Sequence, residues 1–200
     1  MELVGADVAM SAFATGLRNV EGVAFYPGSN ELWVTVNERD GAGARVPADF
    51  VDAERQWAFF GWLYALNGRS PVPVCGANRP HLVKKSKTAD VLFEAHSAPL
   101  GLVFYTGKQF PANYRGDAFV AFHGSGPYDK PDGYKVVRVP FKDGNPAGGY
   151  EDFVTGFFAS HGNKISMLGS PSQLAVAMDG SLLIVDDQAN CIWRVSYAAK

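Results

Sequence analysis

Short apolar runs separated by Gly, Pro, Asn and Asp dominate the pattern of hydrophobic and polar positions along this chain. Runs of this length that are rich in β-branched and aromatic residues are typical of β-strands joined by tight turns. The best helical candidate, residues 47–57, is short, and its apolar residues are too sparse for an amphipathic helix. The pattern therefore predicts an all-β fold.

One plan, an apolar strand followed by a turn and a second apolar strand, occurs three times. The three strand pairs cover residues 19–25 with 32–36, residues 98–104 with 118–122, and residues 171–177 with 182–185. Gly22, Gly101 and Leu174 occupy the same position in the three copies. Their spacing is longer than the ~40–45 residues of a compact propeller repeat, which indicates β-propeller blades with long insertions.

We divide the chain into one partial propeller domain on this basis. Residues 1–15, with a strand over 8–14, are expected to be the outer strand of a preceding blade. Residues 16–97 and 98–168 are expected to form two blades, and residues 169–200 a last blade that is one strand short. A propeller closes with four to eight blades, so about three blades predict an incomplete ring.

The composition is that of an ordinary globular domain, with 47% hydrophobic and 19% charged residues. A net charge of −2 gives no field that attracts nucleic acid or an anionic membrane, and no apolar run approaches the ~20 residues of a membrane span. The first residues do not resemble a secretory signal peptide. Cys75 and Cys191 match no zinc spacing, and we expect two unpaired thiols.

Polar side chains next to the predicted inner strands are the candidates for ligand binding. Arg18 and Asn19 precede the first inner strand, and Glu38, Arg39 and Asp40 follow its partner. Forked guanidinium donors suit a carboxylate or quinone oxygen, and carboxylate oxygens suit a cation. An ordinary charged turn explains the same residues, so the residues by themselves leave both readings open.

Two histidines stand at corresponding places in the second blade. His96 precedes its inner strand and His123 follows the partner strand, so both rings are expected at one end of the channel. Either ring can equally be a structural or surface residue. The histidines lack zinc spacing, and the nucleophile-elbow, dinucleotide-binding and P-loop motifs are missing from the sequence.

A series of motifs in order along the chain resembles a known family. These motifs are Gly16-Leu17-Arg18-Asn19, residues 31–40, Phe60-Gly61-Trp62, residues 96–102, Phe104-Tyr105-Thr106-Gly107, residues 114–119, His123-Gly124-Ser125, residues 133–137, residues 179–183, Asp186-Asp187 and residues 192–195. They resemble the C-terminal half of the glucose/sorbosone dehydrogenase family, which are soluble sugar dehydrogenases dependent on pyrroloquinoline quinone (PQQ). The L-sorbosone dehydrogenase branch is the most similar.

The resemblance implies a six-bladed propeller in which PQQ lies in the funnel, assisted by Ca²⁺, and a sugar is oxidised by hydride transfer to the quinone. It implies six cofactor contacts in this chain: Arg18, Asn19, Glu38, Arg39, His96 and His123. It also implies metal ligation by Glu38 and Asp40. The family's base histidine belongs to the N-terminal half, so no catalytic residue is assigned here.

The resemblance also implies a sugar substrate, an electron acceptor and a periplasmic or secreted location. Missing N-terminal blades or a second copy of the chain would be needed to close the ring. The sequence departs from the family at Ala44 and Arg45, where acidic residues are usual, and at Ser170, where an arginine is usual. Two alternatives remain: a degenerate, non-catalytic propeller scaffold, and a lactonase-like metal-dependent hydrolase.

Overall fold

The computed structural model describes residues 9–125, 131–161 and 164–198. Strands dominate the secondary structure of these residues. The strands are β1 (Asn19–Phe25), β2 (Leu32–Asn37), β3 (Phe50–Glu54), β4 (Ala65–Leu66), β5 (Ser70–Pro71), β6 (Val91–Leu92), β7 (Pro99–Phe104), β8 (Ala118–Phe122), β9 (Lys135–Val139), β10 (Phe141–Lys142), β11 (Asn145–Pro146), β12 (Glu151–Val154), β13 (Phe158–His161), β14 (Lys164–Met167), β15 (Pro171–Val176), β16 (Leu182–Asp186) and β17 (Cys191–Val195). The helices are α1 (Pro80–Lys85) and a 3-10 turn at Ala112–Tyr114.

The chain divides into two compact units. The smaller unit contains Met1–Leu17 and Glu54–Thr88, and the larger contains Arg18–Ala53 and Ala89–Lys200. The larger unit holds three antiparallel sheets, in the strand orders β1-β2-β3-β6, β7-β8-β9-β12 and β15-β16-β17. Two sheets of four strands and one of three are the sheets of propeller blades.

Each of the three predicted strand pairs forms as the first hairpin of a sheet. Val23 lies opposite Val34, Leu102 opposite Val120, and Leu174 opposite Ile184. The register shifts near the start of β1, β7 and β15, so the same irregularity recurs in all three first strands. A bulge bends the strand end, and bulges are common beside binding sites.

Glycine at the repeated position lets consecutive first strands approach closely. A Cβ atom on Gly22 would lie 2.2 Å from the main-chain oxygen of Leu100 on β7. A Cβ atom on Gly101 would lie 2.8 Å from the Cα atom of Gln173 on β15. Thr35, on β2, also joins the first sheet to the second, because its hydroxyl donates to the Leu100 oxygen on β7 at 2.8 Å.

The second sheet is buried on both faces, which explains why every residue of β8 is buried. One face packs on the first sheet through aromatic and aliphatic side chains that include Trp33, Phe93 and Phe122. The other face packs on the third sheet, where Phe119 meets Leu182 and Ile184. A continuous apolar run, without alternation, is expected of a strand covered on both sides.

The strand expected over residues 8–14 differs from the structure. Residues 9–14 form no strand, and Thr15 makes only an isolated bridge with Phe59, while Val8 lies outside the described residues. Residues 47–57, the best helical candidate, are too poor in apolar residues for a helix, and they contain strand β3, which was not predicted. Val51 and Ala53 on that strand pack into the core beside Trp33, so tertiary burial decides its conformation. The expectation of unpaired thiols at Cys75 and Cys191 is confirmed.

The smaller unit packs around an aromatic segment. Phe60, Ala65 and Val72 are buried, and the Lys87 ammonium lies 5.1 Å from the centre of the Phe60 ring. Helix α1 has Pro80 in its first turn and two lysines in its last turn, as the helix dipole favours. Among the described residues, no helix has the length and apolar character needed to cross a membrane.

Glu54, in the smaller unit, is a buried carboxyl group. It is 5% exposed, and neither of its side-chain oxygens has a hydrogen-bond partner among the described residues. Burial raises the pKa of Glu54 from 4.5 to about 7, and the positive charge of Lys87 opposes the rise only in part. The folded chain therefore binds a proton here over a pH range in which the unfolded chain has released it.

We expect this proton to make stability depend on pH. The proton on Glu54 contributes its full stabilisation of the folded chain below the unfolded pKa of 4.5, and this stabilisation is lost as the pH rises through about 7. The Glu54→Gln variant should therefore gain about 1 to 3 kcal/mol in free energy of unfolding at about pH 8, and little near pH 4. Urea denaturation at both pH values measures this, with Glu31→Gln as the control. An equal change at the two pH values would contradict the prediction.

Candidate functional site

The candidate residues collect along one edge of the three sheets in the larger unit, which we call the site edge. At this edge β1, β7 and β15 begin while β2, β8 and β16 end, because the pairs are antiparallel. Asn19 lies opposite Asn37, Pro99 opposite Phe122, and Pro171 opposite Asp186. The polar segments before and after these strands therefore lie together.

Arg18 holds the end of the neighbouring strand. One guanidinium nitrogen, Nη1, donates to the main-chain oxygens of Asn37 at 3.0 Å and Glu38 at 2.8 Å. The Asn19 amide donates to Glu21 at 2.9 Å, and both Arg18 and Asn19 are exposed to solvent. These hydrogen bonds from its side chain to the main chain of Asn37 and Glu38 place Arg18 at the site edge.

Two buried oxygens beside Arg18 lack a partner among the described residues: Asn37 Oδ1 and Glu38 Oε2. Burial raises the pKa of Glu38 from 4.5 to about 7, while a backbone hydrogen bond and the charges of Arg18 and Arg39 oppose the rise. Buried acceptors without a donor are costly. A cation or a ligand N–H that reaches either oxygen would remove that cost there.

Asp49 fixes this part of the site, and the sequence analysis missed it. Its carboxylate is 2% exposed and accepts from the Glu38 amide at 2.7 Å, the Ala98 amide at 3.0 Å and the Ser97 hydroxyl at 3.3 Å. It therefore ties the end of β2 to the segment that precedes β7. Burial raises the pKa of Asp49, and these hydrogen bonds oppose the rise.

We expect Asp49→Asn to destabilise the chain by about 2 to 3 kcal/mol, because an amide nitrogen would face donors in place of one carboxylate oxygen. Chemical denaturation at neutral pH measures the change. Asp143→Asn, on the exposed turn between β10 and β11, is the matched control. A loss no greater than the ~0.5 kcal/mol typical of surface substitutions would show that Asp49 does not hold the two strands.

His96 is buried, and both of its ring nitrogens are engaged. Nδ1 lies 3.0 Å from an Asp40 carboxylate oxygen, and Nε2 lies 2.9 Å from the Gly43 main-chain oxygen. The Asp40 side chain is mostly exposed to solvent apart from this contact with the histidine ring. The ring thus holds the loop that follows β2 over the start of the second sheet. The predicted cofactor contact of His96 stays a prediction.

His123 links the second and third sheets. Its Nε2 atom lies 3.0 and 3.2 Å from the two carboxylate oxygens of Asp187. Its main-chain amide donates to the Ala98 oxygen at 2.9 Å, and its main-chain oxygen accepts from the Ser170 hydroxyl. Ser170, where the family pattern has an arginine, is therefore a buried anchor for His123. The contact between His123 and Asp187 was not predicted from the sequence.

The residues present fit PQQ and a cation in part. Asn37 Oδ1 and Glu38 Oε2 have the oxygen chemistry that Ca²⁺ prefers, and the exposed Arg18 and Asn19 side chains can donate to quinone or carboxylate oxygens. The described part of the chain contains no group of three His, Cys, Asp or Glu side chains that could hold a metal ion. The predicted pair of Glu38 and Asp40 stays a prediction, with Asp40 placed against His96.

Comparison with known proteins extends over nearly the whole chain. The family model described as "Glucose / Sorbosone dehydrogenase" matches residues 3–124, and the model described as "TrAA12-like" matches residues 82–198. An uncharacterized protein of Borreliella burgdorferi is 34% identical over 188 residues, which cover 92% of this chain and 48% of that protein. The chain thus spans about half the length of this relative.

Solved structures show the same fold. The calcium structure of a Trichoderma reesei enzyme of Carbohydrate-Active Enzymes Family AA12 has a TM-score of 0.68 at 21% identity, over 90% of this chain and 52% of that one. The holo form of the PQQ domain of Coprinopsis cinerea pyranose dehydrogenase has a TM-score of 0.69 at 19% identity, over 92% of this chain and 55% of that one. The likeness confirms β-propeller blades in an incomplete ring. With two family models that each match more than half of it, the chain belongs to the glucose/sorbosone dehydrogenase family.

Proposed function

We propose that this chain forms the C-terminal half of the funnel of a PQQ-dependent sugar dehydrogenase that oxidises an aldose or L-sorbosone. The observation that carries the proposal is the pair of unpartnered buried oxygens, Asn37 Oδ1 and Glu38 Oε2, held beside the exposed Arg18 at the site edge. Family membership and PQQ-containing structural neighbours support it. The family resemblance favours a periplasmic or secreted location.

The chemistry that PQQ supplies when bound is that of an ortho-quinone, which accepts a hydride from a sugar carbon. Arg18 and Asn19 would donate hydrogen bonds to its oxygens and so stabilise negative charge. Asp49 would keep Glu38 in place by holding the Glu38 amide. Arg39, which is partly exposed and whose charge lowers the pKa of Glu38, would add positive charge beside the cofactor.

The proposed calcium site consists of Asn37 Oδ1 and Glu38 Oε2, completed by ligand oxygens or water. The Glu38→Gln variant should then lose the increase in melting temperature that Ca²⁺ gives the unmodified chain, because a neutral amide binds a hard cation more weakly than a carboxylate does. Thermal denaturation with and without Ca²⁺ measures this, and Glu31→Gln is the control. An equal calcium effect in the Glu38→Gln variant would place the ion elsewhere.

Reconstitution tests the function directly. The purified chain is incubated with PQQ and Ca²⁺, and dye reduction is followed with glucose and with sorbosone. We expect cofactor binding with little turnover, because the family's base histidine belongs to the N-terminal half, which this chain does not span. Failure to bind PQQ would favour the degenerate scaffold. Full turnover would contradict the placement of the base in the family's N-terminal half.

A further inference from the structure

We propose that His123 and Asp187 form a hydroxyl-binding pair in which Nδ1 of the His123 ring accepts a hydrogen bond from a sugar hydroxyl. Asp187 is then a positioning residue, because it acts through the histidine. The inference deepens the proposed function and rests on it for the identity of the hydroxyl donor. It assigns a role to Asp187 and gives His123 a sugar contact where the resemblance implies a cofactor contact.

The first step is the tautomer of the ring. A carboxylate accepts hydrogen bonds but donates none, so the Nε2 atom that faces both oxygens of Asp187 must carry the proton. In a neutral imidazole the other nitrogen, Nδ1, then presents a lone pair. A lone pair is complementary to a hydroxyl donor, and it does not suit a quinone or carboxylate oxygen.

The second step is the access of this nitrogen. Nδ1 of His123 has no hydrogen-bond partner within residues 9–125, 131–161 and 164–198. The His123 side chain is 33% exposed and that of Asp187 is 57% exposed, so a ligand can reach the pair. The contrast with His96 is direct, since both ring nitrogens of His96 face acceptors within the protein.

The third step is rigidity. The backbone of His123 is held on both sides, by the Ala98 oxygen and the Ser170 hydroxyl, which belong to the starts of the second and third sheets. Lys135 lies on β9 opposite Phe122, the residue before His123, and its ammonium forms ion pairs with Glu94 and Asp152. A ring fixed in position and tautomer can bind a hydroxyl group with little loss of conformational entropy.

Nitrogen NMR of the full chain tests the pair without PQQ. At about pH 8, where an ordinary imidazole is neutral, His123 should show a protonated Nε2 and an unprotonated Nδ1. Added D-glucose should shift the Nδ1 resonance. The Asp187→Ala variant should show mixed tautomers and about five- to tenfold weaker glucose binding, the equivalent of one hydrogen bond.

Two further variants separate positioning from general structure. Asp187→Asn retains an acceptor for Nε2–H and should restore the tautomer and most of the affinity, while Asp143→Asn removes a charge far from the site and should change neither. A proton on Nδ1 in the unmodified chain would overturn the inference. So would glucose binding that leaves the Nδ1 resonance unmoved, or an absence of glucose binding. A chain that binds glucose at His123 but never binds PQQ would overturn the proposed function alone.

Discussion

Replacing Gly22 by alanine is expected to destabilise the larger unit by about 3 kcal/mol or more, which is severe overpacking for a single methyl group. The added Cβ atom would lie 2.2 Å from the Leu100 oxygen and 2.7 Å from the Thr35 hydroxyl. Both contacts are far below van der Waals distance, and the first is with main chain, which cannot rotate away. The first two sheets would have to separate at the site edge.

Urea denaturation measures this loss, and two variants make the result specific. Gly101→Ala should have a similar effect, because its Cβ atom would contact the main chain of β15. Gly149→Ala should change stability by no more than ~0.5 kcal/mol, because nothing lies within 4 Å of its Cβ position. Equal effects at all three glycines would show that the loss comes from lost chain flexibility, and not from the close packing of first strands at Gly22 and Gly101.

Arg18→Gln is expected to weaken PQQ binding by about ten- to a hundredfold, since charged hydrogen bonds contribute roughly 1.5 to 3 kcal/mol. The variant removes the guanidinium that holds the main-chain oxygens of Asn37 and Glu38, so it also loosens the backbone that carries the proposed calcium ligands. The free energy of unfolding should fall by only about 1 kcal/mol, because Arg18 is exposed.

Equilibrium titration followed by PQQ absorbance or heat measures the affinity of the Arg18→Gln variant. Arg55→Gln is the control, because Arg55 is an exposed arginine outside the site edge. If both variants weaken binding equally, the effect is one of net charge. If neither does, Arg18 acts only on the backbone of β2.

The sequence predicted the strands that belong to the repeated plan of an apolar run, a turn and a second apolar run. The first hairpins of all three sheets appear where the alternation of apolar runs and turns placed them. Strand β3 was missed because its five residues are all buried and include Asp52 and Glu54, so neither alternation nor hydrophobicity marks it. Helix α1 was missed because six residues are too few to show a helical period.

The candidate site was predicted only in part, for a different reason. Motifs at strand ends placed Arg18, Glu38 and His123 at one edge, and the structure brings their segments together. Asp49 lies at the end of the loop between β2 and β3, in no recognisable motif, and its role depends on three donors, the farthest of them 49 residues away. Long-range contacts of this kind are a property of the packed sheets and leave no local pattern.

The central claim is that the site edge forms half of a PQQ funnel. A titration of the chain with PQQ at neutral pH, in the presence of Ca²⁺, tests this claim most directly. The account predicts saturable binding of one PQQ per chain, weakened in Arg18→Gln and unchanged in Arg55→Gln. Absence of saturable binding, or binding that is the same in both variants, would contradict it.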